Sequence, residues 1–370
     1  MSGYAVRFDG IGMGDVAAVG GKGASLGELT RAGMPVPPGF VVTTAAFTDA
    51  MAALDPDGTR RARVGRLDPD DLDAMAMVAA DLRRRVARAP LPERLRALVR
   101  ERYRELAPPG TAAVAVRSSA TSEDGADASF AGLQDTYLWV RGEESVLAHV
   151  RRCWASLYNV ESVAYRLRRA VSEADLAMAV VVQQMVDPRC AGVMFTRSPL
   201  TGDRSVVAVE AAWGLGSALV GGEVTPDRFT VNKVTAEIVK RVVSTKLRWH
   251  RADPAGSGVV VAEVPAELRD ACCLTDRQLG DLLAVAKRVE AHYGTPQDIE
   301  WAVADGPDGV AVFVLQSRPE TVWAGRDAGP VIPPRARAFD HVLDVLGGRV
   351  ARARPAQPPA PGPAEDAGER

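Results

Sequence analysis

Asp298-Ile-Glu300-Trp-Ala302 and Leu315-Gln316-Ser-Arg318-Pro319 decide how this chain is read. Between them lies Ala304-Asp-Gly-Pro-Asp-Gly309, a run of turn formers, so the two stretches read as the arms of a β-hairpin. Side chains alternate between faces along a strand. With Asp298 set opposite Gln316, one face carries Ile299, Trp301, Val303, Ala311, Phe313 and Leu315. The other carries Asp298, Glu300, Gln316 and Arg318. A one-residue slip moves polar groups into the core, so the pattern favours its own register. Two carboxylates, an amide and a guanidinium then converge above a buried ribbon. Hard oxygen ligands suit Mg²⁺, and an Arg fork suits a phosphate. A solvated polar face satisfies the same pattern, so the rest of the chain has to choose between the two.

The bulk numbers bound the choice. A chain of 370 residues suffices for about two or three domains. Its 47% hydrophobic and 25% charged residues are ordinary for a soluble globular protein. A net charge of −2 gives no electrostatic case for nucleic acid or an acidic membrane as partner. No apolar run approaches the roughly 20 residues that span a bilayer, and Met1-Ser-Gly-Tyr-Ala-Val-Arg7 lacks the apolar segment of a signal peptide. A cytoplasmic location is expected. Cys153, Cys190, Cys272 and Cys273 show no CxxC spacing and read as small buried side chains. Only five of the 45 basic residues are lysines (22, 233, 240, 246 and 287), which makes each one worth inspecting.

Along the chain, the spacing predicts a helix over about Ala24–Ala32, an extended Phe40–Thr43, and helices over Leu72–Ala89 and Pro92–Leu106. A polar interruption covers Asp55–Asp71. Strands are expected at Val114–Arg117, Leu133–Val140, Met178–Met185, Gly192–Thr196, Ser205–Ala211 and Arg228–Lys233. Val146–Ala170 reads as one long helix with Ser145 as its cap, and Thr275–Tyr293 as another with Thr275 or Asp276 at its start. Pro330–Arg370 is dense in Pro, Ala, Arg and Gly. It reads as a tail, disordered at its end, with one short helical piece at Phe339–Leu346.

Several segments carry chemistry. Val19-Gly-Gly-Lys22-Gly-Ala-Ser25 opens a helix behind two glycines. Backbone N–H groups there attract phosphate and Lys22 adds charge, although most Gly-Gly-Lys matches are plain turns. Arg117 ends a strand and enters Ser118-Ser-Ala-Thr-Ser-Glu-Asp124, an anion cradle or an ST-turn cluster. Ser129-Phe-Ala-Gly-Leu-Gln-Asp-Thr136 is small and flexible, as a loop closing over phosphates would be. Gln183-Gln184-Met185-Val186 ends a buried strand and can offer backbone groups to a purine edge; an ordinary core strand reads the same way. Glu210-Ala-Ala-Trp-Gly-Leu-Gly216 and Gly221-Gly-Glu223-Val-Thr-Pro-Asp227 place acids beside glycines, supporting metal-bound phosphates or simply turning. None of His149, His250, His292 and His341 has the small, polar flanks of a nucleophilic site, and no triad emerges.

Taken together, these segments resemble the nucleotide-binding domain of the dikinase family: phosphoenolpyruvate synthase, pyruvate phosphate dikinase and rifampicin phosphotransferase. The resemblance runs from about Val19 to Thr321. It includes Gly20-Gly-Lys-Gly-Ala-Ser-Leu-Gly-Glu-Leu, Pro35-Val-Pro-Pro-Gly-Phe, Val116-Arg-Ser-Ser-Ala-Thr and Ala128-Ser-Phe-Ala-Gly. It continues through Trp154-Ala-Ser-Leu, Gly192-Val-Met-Phe-Thr, Trp213-Gly-Leu-Gly, Gly222-Glu-Val-Thr-Pro-Asp, Asp298-Ile-Glu-Trp-Ala and Gln316-Ser-Arg-Pro-Glu-Thr. It implies an α+β fold of ATP-grasp type, with ATP between a lobe over 1–186 and a lobe over 187–327, and a tail over 328–370. It implies that Lys22, Arg117 and Arg318 bind phosphates and act in catalysis. Gln183, Gln184, Met185 and Val186 would hold adenine, Thr136 and Glu210 would join the nucleotide set, and Asp298, Glu300 and Gln316 would hold Mg²⁺. Leu133 stands where the family commonly has Gln.

In the family, ATP phosphorylates a histidine on a swivelling domain, whose Gly/Thr/Ser-rich motif is missing from these 370 residues. The resemblance therefore implies a phosphotransferase module serving a histidine on a separate protein. Two other readings stay open: a self-sufficient kinase or ligase for a small molecule, and a module that binds ATP without turnover.

Overall fold

Met178-Ala-Val-Val-Val182 is apolar at every position, which an alternating, half-solvated strand would not be. In the computed structural model it lies at the centre of a five-stranded antiparallel sheet. The order is Ala5–Arg7, Gly39–Val42, Met178–Gln184, Ala113–Ala120, Thr136–Arg141. Both faces are covered. Met178, Val180 and Val182 pack with Phe40, Val114, Val116 and Trp154 under helices that include Leu72–Arg88 and Glu143–Ser156. Ala179 and Val181 pack on the opposite side against Val19, Ala24 and Leu26 of the helix Val16–Arg31. The structure describes residues 3–106, 113–121, 124–125, 128–129, 135–256, 258–306 and 309–323.

A second antiparallel sheet has six strands, in the order Ile238–Val242, Asp227–Asn232, Val206–Trp213, Cys190–Phe195, Gln297–Gly306, Gly309–Pro319. One face is apolar: Met194, Val209, Phe229, Ile299, Trp301 and Val314 are buried there. The helix Asp276–Tyr293 covers it with Leu279, Leu282, Leu283, Ala286 and Val289, the i, i+3, i+4, i+7 stripe of a half-buried helix. Thr275 and Gln278 close a capping box at its start, and Gly294 ends it in the left-handed conformation at φ 69°. The first helix contacts both sheets: Leu26 packs with Ala179 and Val181 on one face of the five-stranded sheet, and Leu29 joins the core of the six-stranded sheet. Helices together with antiparallel sheets make the fold α+β. Among the described residues no helix is long and apolar enough to cross a membrane.

Three expectations need correction. The helix expected from Ala24 starts at Val16, but Gly20 at φ 69° and ψ 171° kinks it, so the segment bearing Lys22 begins afresh there. A Cβ on Gly20 would lie 2.2 Å from the Ser119 carbonyl oxygen, so only glycine fits the close approach. The long helix over Val146–Ala170 is two helices, Glu143–Ser156 and Val160–Arg168, with Gly142 rather than Ser145 at the first N-cap. Asn159 is extended, and the Leu157 carbonyl accepts from Arg166 Nη1 at 2.6 Å, with the buried guanidinium also paired to Glu173. The polar interruption at Asp55–Asp71 contains a short helix, Thr59–Val64. All four cysteines are free, and Cys153, Cys190 and Cys273 are buried as expected. The tail, its helical piece at Phe339–Leu346 and most of the loop Ser129–Thr136 lie outside the described residues.

Candidate functional site

The hairpin forms, with a register that differs from the expected one. Asp298 faces Arg318 and Glu300 faces Gln316; beyond a bulge, Trp301 faces Val314. Leu315 is the extra residue, so the apolar run before it shifts phase. Val312 and Val314, rather than Phe313 and Leu315, join Ile299, Trp301 and Val303 on the core side. The polar set survives the correction. Asp298, Glu300, Gln316 and Arg318 all line one cavity of about 670 Å³.

The far wall of that cavity comes from the first helix and the five-stranded sheet, with Lys22, Arg117 and Thr136. Arg117 is 9% exposed and joins the two sides. Its Nη2 donates to Glu300 Oε2 at 3.2 Å and to Gln316 Oε1, and its Nη1 donates to the Leu315 carbonyl at 3.1 Å. The bulge thus presents a carbonyl that a regular ladder would engage. Lys22 Nζ donates to the Ser118 carbonyl at 3.1 Å, and Gly23 N–H to Ser119 Oγ at 3.1 Å, docking the helix start on the strand that carries Arg117. Behind the polar face, Ser25 Oγ donates to the Ser317 carbonyl at 2.8 Å, and Ser317 Oγ to Gln297 Oε1 at 2.9 Å. The Lys22 helix and the hairpin are therefore fastened together one layer below the cavity.

Asp298 is the most perturbed acid of the group. Burial pushes its carboxyl up to about 6; Glu320 adds to this while Arg318 opposes it. Arg318 Nε lies 3.4 Å from its Oδ2, and its Oδ1 is buried with no hydrogen-bond partner. Among the described residues no three His, Cys, Asp or Glu side chains cluster as metal ligands. The donors gathered here are two carboxylates and an amide oxygen, one of them an orphaned buried oxygen. That set fits an oxygen-seeking divalent cation.

At the other end of the cavity stand Gln183, Gln184, Met185 and Val186. Gln184 N–H donates to the Pro38 carbonyl and Met185 N–H to the Ala113 carbonyl, both at 2.9 Å. Those two donors are engaged within the protein, which narrows what the strand end offers a purine edge. The buried Gln183 side chain donates Nε2 to the Pro37 carbonyl at 3.3 Å and keeps its amide oxygen as an acceptor. Leu138, Pro188, Leu215 and Val220 supply apolar surface.

Glu210 is not among the residues that line the cavity. It shares a sheet face with Val193 and Glu300 by ladder position, two strands away from the hairpin, and pairs with Arg228 Nε at 3.0 Å. Among the described residues no histidine lines the cavity. His149 and His292 bind Ser145 and Glu28, and His341 lies outside the described residues. His250 lies between Ser217 and Glu223, and Ser217 lines the cavity. Sequence reading gave no signal for this, because 33 residues separate Ser217 from His250.

Residues 16–337 match the family model described as pyruvate phosphate dikinase, AMP/ATP-binding domain. The chain is 42% identical over 322 residues to a probable phosphoenolpyruvate synthase of Methanothermobacter thermautotrophicus, covering 86% of this chain and 46% of that protein. It is 47% identical over 310 residues to a rifampicin phosphotransferase of a Streptomyces species, covering 83% and 34%. With the phosphoenolpyruvate synthase of Pyrococcus furiosus it shares 36% over 354 residues, covering 85% and 43%. The chain thus spans between a third and a half of the length of these relatives.

Proposed function

Since the chain belongs to the pyruvate phosphate dikinase AMP/ATP-binding domain family, we propose that it is an ATP-cleaving phosphotransferase module that passes a phosphoryl group to a histidine on a separate protein. The observation that carries this reading is the convergence of Lys22, Arg117 and Arg318 with Asp298, Glu300 and Gln316 on one cavity, at whose other end stands the strand end Gln183–Val186. The fold reading is ATP-grasp, with a lobe over 1–186, a lobe over 187–327 and a tail beyond. It is supported by two antiparallel sheets with their own cores.

Phosphoryl transfer depends mainly on positioning and charge neutralisation. Lys22 and Arg117 hold the phosphate chain from one wall, Arg318 from the hairpin, and Thr136 stands beside Arg117 on the neighbouring strand. Gln183, with the strand end, holds the adenine. Asp298, Glu300 and Gln316 hold Mg²⁺, which supplies charge neutralisation to the phosphates. Among the described residues that line the cavity there is no histidine, which is compatible with an acceptor supplied from elsewhere.

A second reading, direct transfer to a small molecule, is favoured by the 47% identity to a rifampicin phosphotransferase. ³¹P NMR of ATP and Mg²⁺ separates the two. AMP formed only with a partner protein supports the first; ADP or AMP formed with a small acceptor alone supports the second. Wild-type turnover in both Lys22→Ala and Arg318→Ala would overturn the site.

A further inference from the structure

Ser217, His250 and Glu223 form a hydrogen-bonded row at the cavity edge that the phosphate and metal arrangement does not use. Ser217 Oγ is 2.8 Å from His250 Nδ1, and His250 Nε2 is 3.1 Å from Glu223 Oε2. The imidazole is 11% exposed and the Glu223 side chain 50%; Ser217 lines the cavity, whereas His250 lies behind it and lines a neighbouring one.

The row is firmly seated. His250 belongs to a separate two-stranded ribbon, Arg248–Ala252 paired with Val259–Glu263. Its carbonyl accepts from Leu215 N–H at 3.0 Å, so the residue that holds the Ser217 hydroxyl also holds the backbone two residues before it. Leu215, Gly216 and Ser217 all line the cavity.

Position along the cavity assigns the row its ligand. A Cβ on Gly216 would meet Ala191 Cβ at 3.6 Å, which places this wall over the start of the strand Cys190–Phe195. Ala191 pairs with Ala302, whereas the charged hairpin residues Glu300 and Asp298 pair with Val193 and Phe195 further along. Four residues of strand, from 191 to 195, span about 13 Å. Ser217 thus stands on the base side of the phosphate grip, where a nucleotide presents its sugar.

We propose that Ser217, positioned by His250 and Glu223, hydrogen-bonds the ribose diol and makes the site select ribonucleotides over deoxyribonucleotides. This rests on the nucleotide reading above. A hydroxyl donates and accepts at once, so the bond to His250 leaves Ser217 capacity for a ribose hydroxyl. A site built around such a bond rejects an analogue that lacks the hydroxyl, because its own polar group is then left unpaired.

Calorimetric titration with ATP, 2′-deoxyATP and 3′-deoxyATP in Mg²⁺ tests it. Wild type is expected to prefer ATP over at least one analogue by roughly tenfold. Ser217→Ala should bind ATP about as weakly as that analogue while the analogue's own affinity stays put, so the preference collapses. His250→Ala should move the same way, and His250→Asn, whose amide keeps a polar atom near the Nδ1 position, should recover part of the preference. A wild-type preference near one overturns the inference, as does a Ser217→Ala protein that weakens all three nucleotides together. If wild type binds no ATP at all, the nucleotide reading itself fails.

Discussion

The two ends of the cavity are built differently. At the hairpin end, charged side chains are held by one another and by opposite walls: Arg117 reaches from the five-stranded sheet to Glu300, Gln316 and the Leu315 carbonyl of the other. A second layer, Ser25 to Ser317 to Gln297, fastens the same two walls. At the strand end, backbone N–H groups of Gln184 and Met185 are already engaged, and the wall is mostly apolar. One end fixes positions and the other offers a shape. Rates of group transfer respond to sub-ångström positioning, whereas binding to an apolar slot varies more gently. Substitutions at the hairpin end should therefore strike turnover, and those at the strand end affinity.

Arg117→Ala should show the largest effect. It removes a phosphate cation and the tie between the walls together, and leaves Glu300 without its guanidinium. A fall in kcat/KM of about 10²–10³ is expected in a steady-state ATP assay. Arg117→Lys keeps the charge but replaces the planar fork, whose two terminal nitrogens span Glu300, Gln316 and the Leu315 carbonyl, with a single point donor, so it should recover only part of the loss. Full activity in the lysine variant would show that charge, not the cross-tie, matters.

Gly20→Ala tests whether the hairpin end depends on the kinked helix. At φ 69°, with Ser119 oxygen 2.2 Å from the new Cβ, the variant should lose on the order of 2 kcal/mol in urea unfolding. Unchanged stability would mean that the helix start can move away from Ser119.

Asp298→Asn should divide stability from function. The native carboxyl sits at about 6 through burial, while the unfolded one titrates near about 3.9. Between those values the native state holds more protons than the unfolded state, so this group's contribution to stability falls as pH rises through 6. With nucleotide and metal removed by chelation, the asparagine protein should be the more stable at pH near 8, by on the order of 2 kcal/mol. The gap should close toward pH 4 and below, where both carboxyls are protonated. ATP turnover should fall in the same variant. A wild-type advantage at pH near 8 would show that Arg318 outweighs burial at this position.

The same contrast governs how much the sequence disclosed. The polar face of the hairpin was legible because Asp298/Glu300 and Gln316/Arg318 keep their alternation on either side of the turn. Its register was not. Val310–Leu315 is apolar without a break, so either phase looks core-facing, and an inserted residue at Leu315 leaves no compositional trace. The break at Leu157–Asn159 was hidden similarly: buried positions keep helical spacing on both sides of it, and what stabilises it is Arg166, nine residues later. Glu210 was placed by its glycine neighbours, yet its ladder position sets it two strands from the hairpin. The strand Ile238–Val242 and the ribbon at 248–263 are largely exposed and mixed in polarity, so they carried no periodic signal. Ser217 and His250 meet only through tertiary folding.

Gln183→Ala is the counterpart at the strand end and should have the smallest effect. The side chain is 3% exposed, donates to the Pro37 carbonyl, and presents its remaining oxygen beside the cavity. Its loss removes one acceptor from the base, while the Gln184 and Met185 backbone bonds that shape the strand end remain. One such hydrogen bond corresponds to about 1 kcal/mol, or about fivefold in affinity. ATP Kd should rise by that factor, with kcat at saturating ATP unchanged. The separation of kcat from KM is the informative readout, because Arg117→Ala should move kcat. If Gln183→Ala lowers kcat as well, the strand end also sets phosphate position, and the two ends work as one.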